Sequence, residues 1–121
     1  RMPSFPLNAR LSQPSHYRRV FDGPNVKVSS KAFLLLAVEN SNGASRVGII
    51  VAKKHIRLAS RRNRIKRIVR EQFRLSPLGR SMDLVVLVRS PADELDNPAL
   101  WQDIAKLWHQ ISTTADRRWT G

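Results

Sequence analysis

Between Lys53 and Arg74, ten of 22 residues are Lys or Arg, and Glu71 is the single acid. Ten cations less one anion give that stretch +9 of the chain's +13, leaving +4 for everything else. A cationic surface focused in this way calls for a polyanionic partner. Arg outnumbers Lys by seven to three there. A guanidinium forks onto phosphates, stacks on bases and pairs bidentately, so the preference suits a nucleic-acid backbone. Asn63 lies between Arg62 and Arg64. Its amide can donate and accept at a sugar edge or bind an ion's water. The candidate contact set is Lys53, Lys54, Arg57, Arg61, Arg62, Asn63, Arg64, Lys66, Arg67, Arg70 and Arg74.

The bland alternative is a solvated helix face kept for solubility. Such a face normally mixes signs, because opposite charges four residues apart attract and like charges repel. Lys66–Arg70 and Arg70–Arg74 are like pairs at that spacing, a repulsion that a polyanion relieves. A basic amphipathic helix can also lie on an anionic membrane, but a domain this small needs the apolar stripe of that helix for its core. No catalytic constellation accompanies the cations. There is no Cys, the three histidines (His16, His55 and His109) form no HxxxH pair, and the acids are scattered. None clusters in the basic region as a two-metal nuclease requires. Neither a catalytic residue nor a protein-held metal is expected.

At 121 residues and 41% apolar content, the chain suits one domain with a core of its own rather than a disordered basic tail. Its isoelectric point near 11.7 fits nucleic-acid binding. No apolar run approaches the ~20 residues of a membrane span, and the N-terminal stretch has no apolar signal core, so a cytoplasmic location is expected.

The elements that must position the cations follow from periodicity. Residues 1–10 read as an extended arm. A short helix from Ser12 to Asp22, with Ser12 as N-cap, places Tyr17, Val20 and Phe21 on one face. Val26 to Val28 is a short edge strand and Lys31 to Val38 a buried one. Asn42-Gly43 is a hairpin signal that makes Val47 to Ala52 the antiparallel partner of the second strand. In the basic helix, Leu58, Ile65, Ile68, Val69, Gln72 and Phe73 share one side, and Asn63, Lys66, Arg67, Arg70 and Arg74 the other. Ser76-Pro77-Leu78-Gly79 stops it. Met82 to Val88 is a central strand. The last helix opens with Asn97 as N-cap and Pro98, and Leu100, Trp101, Ile104, Leu107, Trp108 and Ile111 form its stripe. Trp101 and Trp108 read as core rather than as stacking platforms. Residues 115–121 read as a tail. The expected fold is α+β: helices on a four-stranded, mostly antiparallel sheet in the order α-β-β-β-α-β-α.

The stretch Arg46-Val-Gly-Ile-Ile-Val-Ala-Lys-Lys54, followed by Arg62-Asn-Arg-Ile-Lys-Arg67 and Arg70-Glu-Gln-Phe-Arg74, closely resembles the protein subunit of bacterial ribonuclease P. Phe5-Pro6 with Arg10-Leu11, Val20-Phe21 and Met82-Asp-Leu-Val-Val match further parts of that family in the same order, over about residues 5–112. The resemblance implies a subunit of the ribonucleoprotein endonuclease that removes the 5′ leader from precursor tRNA. Catalysis would lie in the partner RNA, which would hold the Mg²⁺ ions. The protein would bind that RNA and the substrate leader, with no membrane and no obligate protein partner. A left-handed β-α-β crossover through the basic helix is also implied, against the general right-handed rule.

By position, the resemblance turns the basic helix toward the catalytic RNA, with Lys53 and Lys54 beside it. It places the leader in a cleft between the first helix and the sheet, at Tyr17, Phe21, Leu36 and Ile50. Tyr17 stands where Phe is usual, Leu36 where many relatives carry Tyr, and Ile50 where a small polar residue is common, which makes the floor greasier. Tyr17 and Phe21 could stack bases or serve as core. Two rivals explain the charge. One is a ribosomal or other structural RNA-binding protein. The other is a DNA-binding regulator, although no helix-turn-helix spacing precedes the basic helix.

Overall fold

The computed structural model describes residues 10–11, 13–24, 26–40, 43–76 and 81–119. Along them run α1 (Pro14–Asp22), β1 (Val26–Ser29), β2 (Phe33–Glu39), β3 (Arg46–Val51), α2 (Ala59–Leu75), β4 (Met82–Val88), a 3-10 turn at Ser90–Glu94, and α3 (Asn97–Trp119). The element order is the expected one, and the fold is α+β.

The sheet runs β1-β2-β4-β3. β2 pairs antiparallel with β1 and β4, whereas β3 pairs parallel with β4. The sheet is therefore mixed rather than mostly antiparallel, and β2 and β3 form no hairpin. β4 lies between them because its apolar run is buried on both faces, a property that suits the centre of a sheet. A turn signal governs only its own few residues. Gly43 does adopt a left-handed φ of 81°, while Asn42 lies outside the described residues.

Alternation divides the sheet. Phe33, Leu35, Ala37, Met82, Leu84, Val86 and Val88 face α2 and α3, where they meet Ile65, Val69, Leu100, Ile104, Leu107, Trp108 and Ile111. Each such aliphatic side chain contributes about 1.5–3 kcal/mol when fully buried. Phe73 meets Trp108 edge to face at 5.9 Å, so Trp108 is core as expected, and Trp101 stays 37% exposed. Gln72 is buried on this seam and satisfied: its Nε2 donates to the Trp101 carbonyl at 3.1 Å, and its Oε1 accepts from the Ser76 hydroxyl at 3.0 Å. On the other face, Leu36, Val38 and Val85 pack with Leu11 and Val20 under α1.

Several boundaries differ from the sequence reading. The N-cap of α1 is Gln13, without a side-chain cap bond; Ser12 lies outside the described residues. Leu58 precedes the first turn of α2 and is 61% exposed, so it does not extend the stripe. α2 ends at Leu75, and residues 77–80 of the expected stop lie outside the described residues. Asp96, not Asn97, caps α3, accepting the Ala99 N–H at 2.9 Å. α3 continues through Trp119 with Ala115 in the core, so most of the tail expected at 115–121 is helix. Of the arm, residues 1–9 lie outside the described residues. Arg10 bridges parallel to Val47, and the Leu11 N–H donates to the Val47 carbonyl at 2.9 Å.

Asp83 lies inside β4, fully buried, on the α1 side. Arg46 of β3 grips it with two bonds of 2.9 and 2.8 Å, the Asn40 amide donates at 2.7 Å, and Arg19 of α1 donates at 3.0 Å. Burial alone pushes the carboxyl up. The bonds from Arg46 and Asn40 and the charges of Arg46 and Arg19 outweigh it and hold the group below the ordinary aspartate range. A depressed pKa contributes stability above the unfolded-state value and loses it as pH falls through the folded one. Asp83→Asn is expected to destabilise the fold at neutral pH by about 3–5 kcal/mol, the cost of breaking a buried pair. In denaturant melts at descending pH, the gap between variant and wild type should close in the acid range below the ordinary carboxylate values.

Candidate nucleic-acid interface

α2 turns Ile65, Val69 and Gln72 inward. At 3.6 residues per turn, Asn63, Lys66, Arg67 and Arg70 then fall within an outward arc of roughly 100°. Asn63 and Arg67 are exposed, and Lys66 and Arg70 half-buried. Lys53, Lys54 and Arg57 sit exposed in the turn between β3 and α2. No hydrogen bond or ion pair to a described residue holds the side chains of Lys53, Lys54, Arg57, Asn63, Lys66 or Arg67.

Arg61, Arg62, Arg64 and Arg74 of the expected set are engaged. Arg62 donates to the carbonyls of Ile56 and Arg57 at 2.9 and 2.8 Å, which folds the preceding turn onto the helix. Arg64 donates to the Leu95 carbonyl at 3.2 Å and to the Asn97 side chain at 2.8 Å. Arg61 pairs with the carboxylate of Asp93 and also with its carbonyl. Arg74 pairs with Glu71 at 2.8 Å one turn back, and that bond holds the Glu71 carboxyl below its ordinary range. The two arginines flanking Asn63 thus fasten the helix at both sides and leave Asn63 pointing outward. His55 Nδ1 lies 2.8 Å from the Ser90 hydroxyl, which ties the same turn to the 3-10 segment.

The four expected cleft residues gather on the α1 side of the sheet. Leu36 is buried there; Tyr17 and Ile50 are half-buried against it, and Phe21, one turn along α1 from Tyr17, is 43% exposed. Tyr17 crosses β3 at Gly48. A Cβ on Gly48 would stand 2.4 Å from the Tyr17 hydroxyl and 2.6 Å from two ring carbons, so only glycine admits the ring. Burial raises the Tyr17 pKa, against the pull of Arg70. Burial and the neighbouring Arg10 charge lower that of Arg70, against the pull of Tyr17. One end of the cleft therefore joins the cationic face of α2 through Arg70.

The sequence reading missed Gly48, Arg10, Leu34 and Leu87. Leu34 and Leu87 pair directly with each other and line the same face, half-buried. Alternation from Leu36 identifies Leu34, and a glycine between Val47 and Ile49 in a strand signals close approach of another group. No local signal marks Arg10, whose place depends on the arm meeting β3.

Known proteins of one family share this sequence pattern and fold. The family model described as Ribonuclease P matches residues 5–112. The ribonuclease P protein component of Marinobacter nauticus is 48% identical over 108 residues, covering 89% of this chain and 82% of that protein. The one from Pectobacterium atrosepticum is 44% identical, covering 88% and 90%. The solved Staphylococcus aureus RNase P protein superposes with a TM-score of 0.72 at 25% identity, covering 91% of this chain and 97% of that one. The Thermotoga maritima RNase P protein gives 0.69 at 29% identity, covering 86% and 96%.

The Tyr17–Gly48 contact has a direct test. Gly48→Ala should cost about 1–3 kcal/mol by overpacking, and little once Tyr17→Ala has removed the ring. A double-mutant cycle in denaturant reads the coupling. Equal costs in both backgrounds would mean that the ring does not lie over Gly48.

Proposed function

The chain belongs to the bacterial ribonuclease P protein family, whose members are subunits of the ribonucleoprotein that processes the 5′ end of tRNA, and from that premise we propose that it is the RNA-binding, non-catalytic part of the enzyme. In this reading α2 presents Asn63, Lys66, Arg67 and Arg70, with Lys53, Lys54 and Arg57 beside them, to the catalytic RNA. The observation that carries it is the split among the cations. Arg61, Arg62 and Arg64 spend bonds on fastening the helix, and the outward set has no described carboxylate to neutralise it. A cationic face on a helix held in place suits a folded phosphate backbone.

The precursor's leader occupies the cleft between α1 and the sheet, with Tyr17 and Phe21 as stacking walls over a floor of Leu36 and Ile50. An apolar floor offers few hydrogen-bonding groups, so the cleft suits unpaired bases of any identity. Magnesium sits with the RNA. Among the described residues no three His, Asp or Glu side chains come together, and the acids nearest the cationic face, Asp93 and Glu71, are paired with Arg61 and Arg74. No helix among the described residues is long and apolar enough to cross a membrane. A cytoplasmic site and an RNA-only partnership follow from this reading.

Leader cleavage at low Mg²⁺ tests it, with the cognate catalytic RNA, the protein and their mixture. Cleavage by the mixture alone supports the cofactor role. Tight RNA binding without stimulation would move the chain to the structural RNA-binding class.

Single substitutions separate contact from fastening. Arg67→Ala should leave the melting temperature unchanged and reduce the salt slope of binding to the catalytic RNA by about one unit per lost phosphate contact. Arg62→Ala should also cost about 1–3 kcal/mol of stability, for two carbonyls that lose their donor, and so lower the melting temperature. Equal melting temperatures for the two variants would contradict the division.

A further inference from the structure

The sheet face under α1 is built of cross-strand rows. Val38, Asp83 and Arg46 form one, and α1 covers it through Arg19. Leu36, Val85 and Gly48 form the next, extended on β1 by Lys27, the register partner of Leu36. Leu34, Leu87 and Ile50 form the third, extended by Ser29. The third row is half-buried and α1 leaves it partly open. α1 packs across β4 and β2, rests Tyr17 on β3, and passes through Gly23-Pro24 into β1. The groove between α1 and the third row therefore runs across the strands, from β3 to β1, and not along them.

The two ends of that groove are cationic and its middle is not. At β3 stand Arg70 and Arg10, close enough for the charge of Arg10 to act on Arg70. At β1 stands Lys27. Val26 and Val28 of the same strand pack into the core on the far face, so Lys27 and Ser29 project on the groove side, and both are exposed. No bond from Lys27 to a described residue is formed. Four strands spaced about 4.8 Å apart put Lys27 roughly 14 Å from Gly48. Between them lie the uncharged side chains of Val85 and Leu36.

We propose that the leader crosses the sheet along this groove and that Lys27, on the edge strand, holds a phosphate where it leaves. The inference rests on the leader-binding reading of the cleft and adds to it a direction and an exit. A single strand entering beside Arg70 passes Tyr17 and then Phe21, one helical turn apart, with its bases over the apolar rows. The second and third rows carry no cation among the described residues before Lys27 at the β1 edge; Arg89, exposed just past the third row, donates to the Ser30 carbonyl at 3.0 Å. Lys27 therefore acts only on leaders long enough to span the floor.

The experiment measures affinity for precursor tRNAs whose leaders lengthen by single nucleotides, with mature tRNA as the reference. Each is bound to the complex of catalytic RNA with wild type, Lys27→Ala, Lys27→Arg or Lys27→Glu. Lys27 is exposed, so melting temperatures and affinity for the catalytic RNA should be unchanged. Lys27→Ala should match wild type on mature tRNA and on the shortest leaders, then fall several-fold behind past a threshold length. Its salt slope there should be shallower by about 0.7, the value for one single-strand phosphate. Lys27→Arg should restore the affinity and Lys27→Glu deepen the loss. If wild type gains affinity with leader length and Lys27→Ala gains equally, or if the loss is the same on mature tRNA, the exit at Lys27 is wrong while the cleft reading stands. If wild type itself gains nothing from any leader, the cleft reading fails.

Discussion

The carboxylate of Asp83, on the central strand and sealed from water, dictates more of this structure than any cation does. Taking such an ion out of water costs several kcal/mol, offset only when its partners arrive in good geometry. Four donor bonds reach it from three elements: Arg46 from β3, Asn40 from the residue after β2, and Arg19 from α1. β3 must therefore lie beside β4, the end of β2 must close over it, and α1 must cross the sheet at that row. With α1 so placed, Tyr17 meets β3 at Gly48 and the rows of Leu36 and Leu34 become a floor. The shape of the cleft is in this sense an electrostatic result achieved some distance from it.

The cationic helix is held by a different economy. Arg62 and Arg64 bond backbone carbonyls and an amide oxygen, and Arg61 divides its bonds between a carbonyl and a carboxylate. A carbonyl satisfies a guanidinium donor without carrying an opposing charge. The helix is thus anchored to its neighbours while its field stays largely uncancelled. Had carboxylates done the anchoring, the same rigidity would have erased much of the +9 that distinguishes this stretch.

The element order, the split faces of α2 and the burial of Trp108 were legible in the sequence because each rests on local periodicity. Ile65, Val69 and Gln72 recur at helical spacing, and Met82 to Val88 is continuously apolar. The partnership of the strands was not legible. Asn42-Gly43 suggested a hairpin, but the strand that completes the sheet lies forty residues further on and enters between the two expected partners. The roles of the arginines were equally hidden. Arg61, Arg64 and Arg67 are alike in sequence, and only the 3-10 segment at Ser90–Glu94 and the loop before α3, brought alongside by the fold, separate those that fasten from the one that is free. Gly48 carried a readable signal; the ring that needs it, Tyr17, belongs to another element far back along the chain.

The position of β4 also orders events in time. β2 and β3 are not neighbours in the sheet: β2 pairs with β1 and then with residues 82–88, whereas β3 finds its strand partner only in residues 82–88. As the chain leaves the ribosome, β1 and β2 can zip together early, but β3 and the whole cationic helix must wait without a sheet to dock on. Contacts so distant along the chain are slow to close, because the loop entropy is lost before the strand pairs. The most highly charged segment of the protein is thus synthesised before the strand that completes the sheet beneath it. Its resistance to premature collapse then comes from its own repulsion.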